Sequence, residues 1–149
     1  MSLREKSAWA CLITSVVVFV PYFVFVFRLF AQGQLTGGEA LGAFIGAVIW
    51  HAILTAAVHI AIAVSTREER ADERDALIES RSFKYAYVVL TTSVFGAVPS
   101  VIGLGIGLDP GNASRFLTAV FLSQLILFCF ILAEVVKYLT QAVCYRRGS

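Results

Sequence analysis

The ionisable residues that interrupt the apolar parts of this chain are few: His51, His59, Glu134 and Lys137. Such groups are costly to hold in hydrocarbon, so each is a candidate for proton handling, ligand binding or a paired structural role. His51 and His59 lie in one apolar run, eight residues apart. On a helix that spacing separates them by about 80° and about 12 Å, so one helix cannot offer both to a single iron or zinc ion. A haem at His51 or His59 would need its second histidine from another subunit, and a quinone would need one of the two nearby. Glu134 and Lys137 are three residues apart, close enough to pair while the lysine snorkels toward water. A structural ion pair is the leading account of these two. The sharper one is a polar cluster of His59, Glu134 and Lys137 that handles a proton or a small ligand.

The other concentration of chemistry is STREERADERDALIESRS, residues 65–82. At about 100° per residue, Glu68, Asp72, Asp75 and Glu79 form an acidic stripe, and Arg67, Arg70, Arg74 and Arg81 a basic one flanked by Ile78. Several like charges stand at i,i+4, which weakens an isolated helix unless opposite charges meet them from elsewhere. Segregated stripes suit docking, and Arg70, Asp72, Glu73, Arg74, Asp75, Ile78, Glu79 and Arg81 form the candidate partner-binding surface. The plainer alternative is a solvated turn that fixes topology. No metal site is expected, because neighbouring arginines compete for the carboxylates a hard cation would need. Thr66 with Glu69, and Asp72 with Asp75, are candidate capping boxes. The chain reversal is expected near Arg70–Asp72, with Asp72 capping a helix that continues into the next apolar run.

The elements that carry these residues follow from composition. Of 149 residues 58% are hydrophobic and 15% charged, with a mean hydropathy of +0.81. A soluble domain averages about a quarter charged. Crossing a bilayer takes about 20 apolar residues, and four stretches suffice: about 8–27, 41–64, 85–108 and 116–143. In lipid each must satisfy its own backbone, so they are read as transmembrane α-helices. The expected fold is an all-α membrane protein, a single domain over 1–149 with four antiparallel helices and a charged cytoplasmic turn at 65–84. The first stretch follows Arg4 and Lys6 as a secretory signal would, but it is too long for one and lacks a small-residue cleavage site.

Orientation follows from Lys and Arg. The N-terminal segment, the 65–84 segment and the C-terminal end hold ten of the twelve, and Arg28 and Arg115 are the other two. Both termini are therefore expected in the cytoplasm. Cys11 and Cys129 fall inside spans and read as packing residues, and Cys144 is a juxtamembrane thiol open to lipidation. Three cysteines so placed give no disulfide framework.

Glu73-Arg74-Asp75-x-x-Ile78-x-x-Arg81, directly after a second span, resembles the loop signature of small prokaryotic four-helix membrane proteins. In those the segment reads Asp/Glu-Glu-Arg-Asp-x-x-Ile-x-x-Lys/Arg, and Asp72 to Arg81 matches it throughout. The resemblance covers about a third of the chain. It implies a multi-pass protein of the bacterial inner membrane and no particular reaction.

Gly38, Gly42 and Gly46 recur every four residues, as do Gly103 and Gly107, giving small-residue ridges for close helix packing within the bundle or in a homodimer. Pro21 and Pro99 are expected to kink their helices. There is no Ser–His–Asp set at a shared depth, no Cys/His metal spacing and no phosphate-binding glycine loop. The basic stripe has no interleaved aromatics, which leaves nucleic acid without support. The favoured expectation is a non-enzymatic accessory or regulatory subunit. It would associate with a membrane-protein partner or a second copy through its charged turn and glycine-lined helices. A small transporter or proton-coupled protein using His59 and Glu134 is the first alternative, and a haem- or quinone-binding redox protein the second.

Overall fold

The computed structural model describes residues 3–65, 73–107 and 119–147, and the backbone alone of residue 65 and residues 100–107. These residues form four helices: α1 (Leu3–Ala31), α2 (Gly37–Ser65), α3 (Glu73–Gly107) and α4 (Ala119–Arg147). Among the described residues α1, α2 and α4 are long and apolar enough to cross a membrane. The expected span at 85–108 falls on α3 and runs beyond the described side chains. Pro21 and Pro99 both lie inside continuous helices.

The turn between α1 and α2 is set by residue chemistry at both helix ends. Gly33, with φ 69°, takes the left-handed conformation that a side chain would strain. The Gln34 amide donates to the Leu29 carbonyl at 2.9 Å and the Gly33 amide to the Phe30 carbonyl at 3.0 Å, the two bonds of a Schellman C-cap. Thr36 then opens α2 as one half of a capping box. The Glu39 amide donates to the Thr36 hydroxyl at 3.3 Å, and the Glu39 carboxylate accepts from the Thr36 amide at 3.2 Å.

Of the charged segment expected at 65–84, residues 66–72 lie outside the described residues. Residues 73–84 are already helical, the first turns of α3, which opens with Glu73 and Asp75 where carboxylates complement the helix dipole. Arg67, Arg70 and Asp72, and with them both candidate capping boxes of this segment, lie outside the described residues.

α1 and α4 form the centre. They pack on each other, α2 rests on α1, and α3 rests on α4. The spatial order is thus α2–α1–α4–α3, an open bundle in which each outer helix has one principal neighbour. The core is aromatic: Phe19, Tyr22, Phe23 and Val26 of α1 are buried together, with Phe44 of α2 and Leu127 and Ile131 of α4 packed around them. The Phe23 ring meets Phe128 edge-on at 5.1 Å. The buried Tyr22 hydroxyl donates to the Gln124 side-chain carbonyl, so neither polar group is left bare in the core.

Between α3 and α4 the close contacts are small. Ile78, Ser82 and Ala86 form a buried stripe at intervals of four on α3, and Cys129, Ala133 and Ala142 are buried on α4. Small side chains let helix backbones approach, which is the main source of cohesion when lipid is as apolar as the interface. The Gln141 amide donates to the Ser82 hydroxyl at 3.1 Å across the same contact.

The aromatic core should therefore be the most sensitive part of the fold. Phe23→Ala is expected to cost about 3–5 kcal/mol through the cavity it leaves. Reversible unfolding of the purified protein in mixed micelles measures this, and a cost below about 1 kcal/mol would show that α1 and α4 do not depend on this packing.

Candidate functional site

The polar residues of α1 and α2 meet along a seam. Ser15 and His51 Nε2 are 3.2 Å apart, the Thr55 hydroxyl donates to that of Thr14 at 3.4 Å, and Ser7 and His59 Nε2 are 2.9 Å apart. The eight-residue step from Ser7 to Ser15 on α1 thus answers the eight-residue step from His51 to His59 on α2. Each histidine has its own serine, as their separation on the helix requires. The Phe19 ring also lies against His51, with centroids 5.3 Å apart.

His59 has the more developed surroundings. Its Nδ1 lies 2.8 Å from the Thr55 carbonyl oxygen, which can only accept, so Nδ1 carries a proton. In the neutral ring Nε2 is then a lone pair, and it faces both the Ser7 hydroxyl and the Cys11 thiol, the latter at 3.7 Å. Cys11 of α1 and Tyr138 of α4 line one cavity. Glu134 pairs with Lys137 at 3.6 Å, and the Lys137 ammonium lies 4.6 Å from the Phe83 ring centroid and 4.9 Å from that of Tyr138. The cation is held by ring faces and a carboxylate together, which suits an ammonium at the edge of hydrocarbon.

His59 therefore does not touch Glu134 or Lys137. His59 faces Cys11, Lys137 lies over Tyr138, and Cys11 and Tyr138 line one cavity, so the two groups are neighbouring sites and not one cluster. The sequence neighbourhood of Cys11 marks it only as a packing residue, and that of Tyr138 marks nothing. Their part depends on α1 lying between α2 and α4, which no local spacing encodes.

Beside this group a cavity of about 340 Å³ is lined by Arg4, Ser7 and Cys11 of α1, Glu79 of α3, and Tyr138 and Gln141 of α4. At its edge the Arg4 guanidinium pairs with Asp75 at 3.2 Å. Two residues of the candidate partner-binding surface are thereby committed within the chain: Asp75 to Arg4, and Ile78, at 1% exposure, to the contact with α4. Glu73, Arg74, Glu79 and Arg81 are exposed.

Among the described residues nothing packs on the glycine ridge of α2. A side chain built at Gly38, Gly42 or Gly46 would meet nothing within 4 Å. Gly103 and Gly107 lie in the stretch described by backbone alone.

Comparison with protein-family models, with curated proteins and with solved structures finds no match. The resemblance of residues 72–81 rests on those residues alone.

The imidazole–hydroxyl seam should contribute measurably to the α1–α2 contact. A double-mutant cycle of Ser15→Ala and His51→Leu is expected to give a coupling of about 0.6 kcal/mol, and no more than about 1.7 kcal/mol, as for hydrogen bonds between membrane helices. Unfolding free energies of the two single variants and the double variant give the coupling directly, and additive costs would remove the Ser15–His51 bond from the account of the fold.

Proposed function

We propose that this chain is a non-enzymatic accessory or regulatory subunit of a bacterial inner membrane that acts by associating with another copy of itself or with a membrane-protein partner. The observation that carries this reading is the state of α2. It has one principal neighbour, and among the described residues the ridge of Gly38, Gly42 and Gly46 is open along a helix none of whose apolar window is fully buried. A ridge of this kind lets a second helix approach to backbone contact. The exposed charges Glu73, Arg74, Glu79 and Arg81 at the start of α3 supply a second, polar contact on the cytoplasmic side.

The proton-coupled alternative has less support. Glu134 is paired with Lys137, and His59 is engaged by Ser7 and Cys11. A haem reading would first have to release His51 or His59 Nε2 from its serine.

The topology that belongs to this reading is four antiparallel spans with both termini in the cytoplasm. It is supported by the distribution of Lys and Arg. The pairing of Arg4 near the start of α1 with Asp75 near the start of α3 also favours a shared side for those two ends.

In a background with the three native cysteines replaced, a membrane-impermeant maleimide should label a cysteine placed at Gln34 from the outside and one placed at Glu73 from the cytoplasm. The reverse pattern would invert the assignment.

The association itself is tested by Gly42→Leu. Since no described residue lies within 4 Å of a Cβ at Gly42, the substitution should change unfolding stability by less than about 0.5 kcal/mol. It should also reduce the assembly size in lipid nanodiscs or release a co-purifying protein. If wild type and variant have the same size and the same companions, α2 faces only lipid and this reading fails.

A further inference from the structure

Beyond association, we infer that Cys11 is a reactive thiol, served by His59 as its base, that accepts an acyl group from a long-chain acyl thioester. Three parts of an activated nucleophile are present. The thiol of Cys11 lies 3.7 Å from His59 Nε2, the imidazole is held by its Nδ1–H bond to the Thr55 carbonyl at 2.8 Å, and an open cavity adjoins the sulfur. A nucleophile beside a base that a third group orients is the general arrangement of covalent catalysis. The bond to Thr55 fixes the tautomer, so the lone pair of the neutral ring is the one that faces the thiol.

The surroundings select the electrophile. The cavity has a polar side, with Arg4, Glu79 and Gln141, and an apolar side, with Leu3 and Ala8, and it lies at the end of helices whose remaining length exposes apolar residues such as Ile13 and Val17. A donor with a polar carrier and a long hydrocarbon chain fits such a boundary, the carrier toward water and the chain along the lipid-facing helix. The reaction needs no further reagent. His59 Nε2 takes the thiol proton as Cys11 Sγ bonds to the carbonyl carbon of the donor. The tetrahedral adduct collapses with cleavage of the donor's own C–S bond, and the departing thiolate takes the proton back from His59. One thioester is exchanged for another.

Ser7 competes for the same lone pair, at 2.9 Å from Nε2. That competition separates a basic role of His59 from a structural one. If His59 only packs, losing the Ser7 hydroxyl and losing the imidazole should act in the same direction. If it is a base, Ser7→Ala should preserve or raise the rate at Cys11, and His59→Gln should lower it.

The test uses the full chain in lipid nanodiscs with palmitoyl-coenzyme A, followed by peptide mass spectrometry of acylation at each cysteine over time. Cys144 is the internal reference, because it and Cys11 are similarly half-buried. Cys11 is expected to acylate at least about tenfold faster than Cys144, with the excess lost in His59→Gln and kept in Ser7→Ala, a modest demand on a general base. Equal rates at Cys11 and Cys144 in the wild type, a measurement that needs no variant, would overturn the inference. So would a Cys11 rate indifferent to His59, or a Cys11 that exchanges with oxidised glutathione and ignores the acyl thioester.

Discussion

Inside a bilayer the hydrophobic effect no longer drives helices together, because a lipid tail is as apolar as any side chain that might replace it. What remains is close packing, hydrogen bonds between helices, and the need to leave no polar group bare. The contacts of this chain follow from that constraint. Where α1 meets α2, serine and threonine hydroxyls meet histidines. Where α1 meets α4, interlocking aromatic rings surround the Tyr22–Gln124 bond, and where α3 meets α4, alanine and serine allow the backbones to draw together. Each interface uses a different remedy for the same missing force.

α1 occupies the position that makes these remedies compatible. Its buried residues include Thr14 and Ser15 on the side of α2, and Phe23 and Val26 in the aromatic core. A helix with two neighbours must be specific on two faces, whereas α2 is specific on one and leaves the remainder to its surroundings. This asymmetry explains why α2 carries both histidines yet contributes no residue to the deepest part of the core. It also explains why the thiol, phenol and imidazole near the start of α1 come together, since only α1 lies within reach of both α2 and α4.

Much of this was legible in the sequence, in proportion to how local its cause is. The apolar runs reveal α1, α2 and α4 because length and hydropathy are properties of a contiguous window. The reversal expected near Arg70–Asp72 lies outside the described residues, and the helix expected to follow it is described from Glu73 onward. Gly33 with the Thr36–Glu39 box is an equally local signal, a helix stop followed by a start. Side-chain partners were less accessible. The spacing of His51 and His59 foretold that they could not share a ligand, but Ser7 and Ser15 as their companions depend on the register of α1 against α2. The glycine repeats marked the capacity for close approach. Among the described residues the buried small side chains are instead Ser82, Ala86 and Ala133, whose small size is masked by their ordinary frequency in helices.

The charged segment illustrates how one pattern serves two demands. Its acidic residues looked arranged for an external surface, since like charges at i,i+4 are unfavourable on an isolated helix. Asp75 is relieved by Arg4 of α1, with side-chain exposures of 16% and 35%, a partly shielded pair in which attraction is less diluted by water than at an open surface. Asp75 also lies in the first turn of α3, where the helix dipole favours a carboxylate. Ile78, one turn further along, points into the contact with α4. The motif is thus read from two sides: its Asp and Ile fasten the start of α3 to the rest of the chain, and Glu73, Arg74, Glu79 and Arg81 remain on the outside. A segment whose inner residues are spent on its own fold presents its outer charges from a fixed helix rather than from a loose turn. A partner that reads those charges meets them already ordered, at a lower entropic cost than an unstructured turn would impose.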